Sequence, residues 1–301
     1  NPKVVGSNPT RATTLKRPLH SGRFSLSERM SLVQTVLAHA QRIEMTMPWG
    51  LLVWHVWRPM HGAKAKPCVL LHGGSGSWTH WVNNVLTLSQ DREVWALDMP
   101  GFGDSALPSH VKDADDLVPY VAQILSETFH QKAVDVVGFS FGGMTAGLTA
   151  AQYPDLVSNL VLVGVPGLGL MVENLPMRGM LDSMTDAQRR AVHRHNLNAM
   201  MLASPMCVTE DLIDLQMHNV DRDRMRRRRI ARTDVLAKVQ TQWTCPVHGI
   251  WGAEDALYVN TLARVPDVLH TLSTFQVIPD AGHWVQFENP SAFHAALEKT
   301  R

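Results

Sequence analysis

This chain of 301 residues has little cysteine, little net charge and no long apolar run. Its three cysteines, Cys68, Cys207 and Cys245, are far apart and odd in number. They form neither a disulfide framework nor a metal-ligand spacing. Cys68 and Cys245 each adjoin an expected strand and read as buried, inert thiols. A reducing, cytoplasmic setting fits this usage. The formal net charge is +1, with 18% charged residues, so nothing draws the chain as a whole toward nucleic acid or an acidic membrane surface. No apolar stretch reaches the length of a bilayer span, and no feature asks for a metal or an organic cofactor. The expected partner is a small-molecule substrate, with no nucleic acid and no membrane. The sequence leaves a homo-oligomer open.

Residues 1–40 read as an N-terminal extension, expected to be disordered at least as far as Arg29. The stretch is rich in Ser, Thr, Pro, Arg and Lys and has little hydrophobic patterning. It lacks the apolar core of a secretory signal. Its basic, acid-poor composition suits an organelle-targeting segment, and suits better a piece preceding a natural start at Met30.

What is present is 45% hydrophobic residues, enough for one large core. Strand patterns fall at 41–46, 51–57, 68–71, 93–97, 134–137, 160–163, 246–251 and 274–278. Helical patterns fall between them at 78–88, 113–129, 141–152 and 290–299. This alternation specifies an α/β fold with a mostly parallel central sheet flanked by helices. The rhythm stops between 166 and 240, where the chain reads as helical and Met-rich with no strand. The expected division is an α/β core, 41–165 and 241–301, carrying an inserted helical cap, 166–240. The run Arg226-Arg227-Arg228-Arg229 lies beside Asp221 and Asp223 and reads as a solvated helix face with local ion pairs. An inward arginine that binds a substrate carboxylate is the minority reading.

The most informative stretch is Val136-Val137-Gly138-Phe139-Ser140-Phe141-Gly142-Gly143. A β-branched run enters Gly-x-Ser-x-Gly and a helix-compatible stretch leaves it, the pattern of a nucleophile elbow. Ser140 is the candidate nucleophile, and a serine hydroxyl needs a base to take its proton. His283 is the candidate base, after the last strand and the small approach Ala281-Gly282. His72 competes for that role but opens a Gly-rich loop, where a structural histidine is expected. The base needs an anion to fix its tautomer, and Asp255, in a loop after a strand, fits, with Glu254 adjacent. An oxyanion would be met by the Phe141 N–H and by a second amide from His72-Gly73-Gly74-Ser75-Gly76. Gly74 is preferred there and Ser75 comes next. That loop lacks the Gly-Lys-Ser/Thr ending of a phosphate loop. Asp98 to Ser105 reads as a structural turn, with Asp104 and Ser105 satisfying backbone groups.

Together, His72-Gly73-Gly74-Ser75-Gly76-Ser77-Trp78, Asp98-x-Pro100-Gly101-x-Gly103-x-Ser105, the Ser140 elbow, Trp251-Gly252-x-x-Asp255 and Gly282-His283-Trp284 resemble the α/β-hydrolase superfamily from about Gln41 onward. The resemblance implies the α/β-hydrolase fold. It places His283 where that family has its histidine, and its spacing from Trp251-Gly252 selects Asp255 over Glu254. It also implies acyl transfer to water, since related dehalogenases and epoxide hydrolases carry a carboxylate where Ser140 stands.

The chain resembles both carboxylesterases and the hydrolases that cleave carbon–carbon bonds in meta-cleavage products. Ester hydrolysis on small to medium apolar or aromatic esters is the broadest expectation. The carbon–carbon hydrolases are suggested by the Gly-rich loop, by Trp284 and by an arginine-bearing cap, with Arg190, Arg194, Arg222 and Arg232 as candidate carboxylate ligands. Cofactor-free haloperoxidase or perhydrolase chemistry, and a non-catalytic ligand-binding role on the same fold, are the further alternatives. Trp284, Gly73 and Met171 are the expected substrate contacts, with plain packing an equal reading for Trp284. Met171 belongs to a Met-rich set expected to line a pliable apolar pocket.

Overall fold

The computed structural model describes residues 26–301, except Glu173 and Arg226. Eight strands form one sheet in the order β1-β2-β4-β3-β5-β6-β7-β8. They are β1 (Gln41–Met47), β2 (Gly50–Trp57), β3 (Cys68–Leu71), β4 (Val94–Asp98), β5 (Val134–Phe139), β6 (Val157–Val163), β7 (Val247–Gly252) and β8 (Thr274–Ile278). β1 and β2 form a hairpin, β2 pairs antiparallel with β4, and every pairing from β4 through β3 to β8 is parallel.

Burial explains which runs became strands. β3 is Cys-Val-Leu-Leu and wholly buried, as a central parallel strand covered on both faces requires. β1, at the edge, is largely exposed. Along the central strands alternate side chains enter opposite faces. Val69, Leu71, Val136, Leu160 and Leu162 join one apolar cluster with Trp54 and Trp251. Cys68, Leu70, Val137, Phe139, Val161 and Val163 join the other with Trp57, Trp81 and Trp284.

The helices are α1 (Leu26–Leu37), α2 (Val85–Leu88), α3 (Ala114–Thr128), α4 (Phe141–Gln152), α5 (Asp186–Asn196), α6 (Glu210–Asp221), α7 (Val235–Val239), α8 (Val265–Val268), α9 (Val285–Glu288) and α10 (Pro290–Glu298). α3 starts at an Asp113 cap that forms a reciprocal box with Asp116. Its Leu117, Val121 and Leu125 enter the first cluster, whereas Phe293 and Leu297 of α10 enter the second.

Three expectations change. Helix α1 begins at Leu26, inside the stretch expected to lack order through Arg29. It is tied down where Val36 is buried and its carbonyl accepts from Trp57 Nε1 at 2.9 Å. Residues 1–25 lie outside the described residues. The helical pattern at 78–88 is split into a 3₁₀ turn, Trp78–Trp81, and the short α2.

The stretch between β6 and β7 contains no strand among its described residues, yet its first part is not helical. Pro166 and Pro176 interrupt it, and Gly167 and Gly169 take φ of 83° and 67°, outside the helical range. Met177, Met180 and Leu181 are consequently exposed there rather than lining an apolar face. The insertion still packs on both sides of the sheet. Leu168, Leu170, Met225 and Leu236 join the first cluster, and Leu197, Met201, Leu202, Leu212 and Ile213 the second. Among the described residues no helix is long and apolar enough to cross a membrane.

Candidate active site

The turn from β5 into α4 holds Ser140 at φ 51°, ψ −120°. A non-glycine residue is held there only when its surroundings over-determine it. Ser140 N–H donates to Val163 O at 2.8 Å, fixing the turn to β6. Gly138 and Gly143 pass so close that a Cβ on either would strike the other's backbone. A Cβ on Gly142 would strike the carbonyls of Leu71 and His72. The three glycines are therefore space requirements of the elbow.

Ser140, His283 and Asp255 come together although 143 and 28 positions separate them in the chain. Ser140 Oγ lies 2.9 Å from His283 Nε2, and His283 Nδ1 lies 2.8 Å from Asp255 Oδ2. Asp255 and His283 are 1% and 2% exposed. Asp255 Oδ1 accepts the Leu257 N–H at 2.9 Å, so both carboxylate oxygens are engaged. With Nδ1–H donating to Asp255, Nε2 is left to accept from the Ser140 hydroxyl. The other carboxylate in question, Glu254, is exposed, and its amide donates to Ala281 O. The His283 loop is anchored by Glu288. One of its oxygens accepts from Gly282 N–H at 2.7 Å and Ala203 N–H at 3.0 Å, the other from Ser204 N–H at 2.7 Å.

The opposing loop follows β3. Phe141 is the first residue of α4, so its amide has no intrahelical carbonyl partner. Gly73 has a different use from the one expected. Its N–H donates to His80 Nδ1 at 3.1 Å and its carbonyl meets His72 Nδ1 at 2.8 Å. Its polar groups thus bind its own loop rather than a substrate, and the next amides, of Gly74 and Ser75, become the candidates. His72 also accepts Met99 N–H at Nε2, 3.1 Å away. Burial pushes its pKa down to about 4, so it sits neutral, as expected of a structural histidine. His80 is also buried, and desolvation holds it well below the ordinary range, with His72 and His283 adding to the shift.

Trp284 is fully buried against His80 and Phe287, and its Nε1–H donates to His80 O at 2.9 Å. Of the two readings of Trp284 this is the packing one, and it ties the His283 loop to the loop after β3. Met171 is half-buried against the larger apolar cluster. In the 98–105 turn Ser105 takes the expected part, its Oγ accepting Val53 N–H at 2.9 Å. Asp104 does not: it pairs with Arg42 and Arg222, and buried Asp98 instead accepts the Trp78 and Asp104 amides.

The arginine run is the main departure. Helix α6 ends at Asp221, and the described residues that follow are not helical before a 3₁₀ turn at Arg229–Arg232. Arg226 lies outside the described residues. Arg228 turns inward instead of facing water. Its guanidinium lies 5.5 Å from the centre of the Phe102 ring and 5.6 Å from that of Phe141, and it binds Asp223. It covers Gly74, where a Cβ would come within 3.0 Å of Arg228 Nε. Arg190 and Arg194 instead pair with acidic residues of α6, and Arg222 with Asp104. Arg232 is exposed. Sequence pattern missed Arg228 because four successive arginines carry no sign of which one faces inward. Gly74 and the two phenylalanines opposite were legible, but not their distance from it.

Comparison with known proteins adds to this geometry. The chain is 30% identical over 77% of its length to the dihydrolipoyllysine-residue acetyltransferase component of the acetoin cleaving system of Pseudomonas putida. It spans only 62% of that protein. It is 27% identical to a 2-hydroxy-6-oxononadienedioate/2-hydroxy-6-oxononatrienedioate hydrolase of a Pseudomonas species, over 75% of this chain and 84% of that one. Among solved structures, a Bacillus subtilis carboxylesterase superposes with a TM-score of 0.70 at 14% identity, covering 91% of this chain and 97% of the other. Residues 66–290 match the alpha/beta hydrolase fold family as a whole. The match runs from β3 through the serine turn to the histidine loop, and this chain belongs to that family.

Proposed function

We propose that the protein is a serine hydrolase that cleaves carboxylic esters through an acyl-enzyme on Ser140. The observation that carries this reading is the continuous chain Ser140 Oγ, His283, Asp255 at 2.9 and 2.8 Å, ending on a buried carboxylate. Ser140 Oγ attacks the ester carbonyl carbon while His283 Nε2 takes its proton. The carbonyl oxygen becomes an oxyanion beside the amides of Phe141 and of Gly74 or Ser75, at the positive end of α4. Collapse breaks the bond to the leaving alcohol, which receives the proton from His283. Water then attacks the acyl carbon, gives a proton to His283, and releases the acid as Ser140 regains its hydroxyl. Asp255 holds the Nδ1–H throughout and stabilises the imidazolium.

The side chains packed around Ser140 and His283 are apolar, with Phe102, Phe139 and Phe141 buried beside them, and such surroundings favour an apolar acyl or aromatic group. A second reading is hydrolysis of a carbon–carbon bond in a dienoic keto acid. It is favoured by Arg228 beside Gly74, a cation in reach of a substrate carboxylate, and by the dienedioate hydrolase relative. The test is turnover of a chain-length series of p-nitrophenyl esters beside the Ser140→Ala variant. Turnover that vanishes in the variant supports the esterase and sizes its acyl pocket. Ester turnover that persists in the variant removes it. A wild type that ignores esters but consumes a dienoic keto acid moves the reading to carbon–carbon cleavage.

A further inference from the structure

Ser75 takes φ 50°, a left-handed conformation that residues with side chains leave unless they are held. What holds it belongs to the insertion, not to the α/β core. Ser75 Oγ–H donates to Asp223 Oδ2 at 2.6 Å, across 148 positions of chain. Asp223 is nearly buried, with 10% of its side chain exposed, and its other oxygen accepts Met225 N–H at 2.9 Å. Arg228 binds the same carboxylate and reaches Ser75 Oγ at 3.3 Å while lying over Gly74. Its Nε is buried with no hydrogen-bond partner, so the guanidinium is placed by the rings and Asp223 rather than by a complete set of bonds of its own. The segment is seated by neighbours. Arg222 pairs with Asp104 at 2.7 Å, Arg224 N–H donates to Gly101 O at 2.9 Å, and Arg224 Nη2 reaches Ser105 O at 2.5 Å.

The two ends of the loop after β3 are thus fixed by different parts of the molecule. The core holds Gly73 through His80. The insertion holds Ser75 through Asp223. Between them lie the amides that must face the oxyanion. We infer that Asp223 and Arg228 are positioning residues for the reaction: by holding Ser75 left-handed they aim the Gly74 and Ser75 amides, so that the oxyanion site is complete only while Asp223 and Arg228 are seated on it. This rests on the serine-hydrolase reading. Glycine visits the left-handed region without a side-chain penalty, so a glycine at 75 should make the loop less dependent on Asp223.

The test measures the rate at which a fluorophosphonate labels Ser140, together with kcat and KM on p-nitrophenyl butyrate. The variants are Asp223→Ala and Asp223→Ala/Ser75→Gly, each checked by circular dichroism. Loss of one aligned oxyanion donor costs on the order of 10²-fold in kcat. Asp223→Ala is expected to lower labelling and kcat by about 10- to 100-fold, toward that limit, with KM changed by less than about threefold. The double variant should recover most of the loss. Labelling at the wild-type rate in Asp223→Ala overturns the inference, and so does a loss that Ser75→Gly leaves unchanged. If Asp223→Ala does not fold, Arg228→Met with and without Ser75→Gly gives the same comparison with the same two overturning results. A wild type that is never labelled removes the serine-hydrolase reading itself, which is a different failure.

Discussion

The α/β core and the insertion hold their parts of the site by different means. In the core, Ser140, Asp255 and His283 stand in the loops that follow β5, β7 and β8, where the parallel sheet delivers strand ends to one edge. They are fixed by backbone hydrogen bonds, by glycines with no room for a Cβ, and by burial. In the insertion, Arg190, Arg194 and Arg189 pair with Glu210, Asp214 and Asp221 at positions open to water. The part of the insertion that reaches Ser75 is an exception at its acid: Asp223 is 10% exposed, whereas Glu210, Asp214 and Asp221 are 48–57% exposed. On the proposed reading, dry contacts of the core set whether the chemistry can run, and the junction at Asp223 and Arg228 sets how well.

Breaking the core side should give the largest effect. His283→Ala is expected to lower kcat by about four to six orders of magnitude, since triad members act as a unit. Its circular dichroism and melting temperature should stay close to wild type. A variant within tenfold of wild type in kcat would remove His283 from the reaction.

Acid should act next, and on the core. His72 is buried neutral, its pKa pushed down to about 4 by desolvation, as is that of His55. Below the ordinary histidine pKa of about 6.5 the unfolded chain takes up protons that the folded chain refuses. Stability is therefore complete above about pH 6.5 and falls as pH drops toward 4. A shift of this size is worth roughly 3 kcal/mol for one fully buried histidine. Urea midpoints measured across that window should fall with acid, and His72→Gln should flatten the slope. A flat wild-type profile would contradict the neutral assignment.

Gly142→Ala probes the elbow by volume. Its Cβ would meet backbone carbonyls of Leu71 and His72, which cannot rotate away. A loss of roughly 1–3 kcal/mol in a denaturant titration is expected. An unchanged midpoint would mean that the turn has slack.

The smallest effect should come from the insertion's surface. Arg190 contacts Glu210 and Asp214, but it is 27% exposed and each partner is 48% exposed. Such pairs contribute about 0.2–1 kcal/mol. Arg190→Ala should shift the melting temperature slightly and leave kcat on small esters unchanged. A tenfold fall in kcat would give the exposed charges a role in the site that the comparison denies them.

The same contrast explains what could be read before the structure. Strand and helix order in the core was legible because apolar runs such as Cys68–Leu71 and Val134–Val137 are local and buried on both faces. The Ser140 turn was legible because its glycines answer a local steric demand. Asp255 needed family spacing, since Glu254 stands beside it with the same chemistry. The insertion was read as helical throughout because its methionines mimic an amphipathic period. Pro166, Gly167, Gly169 and Pro176 outweigh that period in residues 166–184. Trp284 read equally as a substrate contact or as packing, because its indole N–H finds its partner 204 positions away, in His80, where no local pattern shows it. Arg228 and Asp223 act through contacts over 148 to 153 positions that no local pattern encodes.

The most direct test of the central claim is intact-mass and peptide analysis after treatment with a fluorophosphonate. The account requires one phosphonyl adduct, mapped to Ser140, that forms far more slowly in His283→Ala and not at all in Ser140→Ala. An unmodified wild-type protein, or an adduct on another residue that persists in Ser140→Ala, would contradict it.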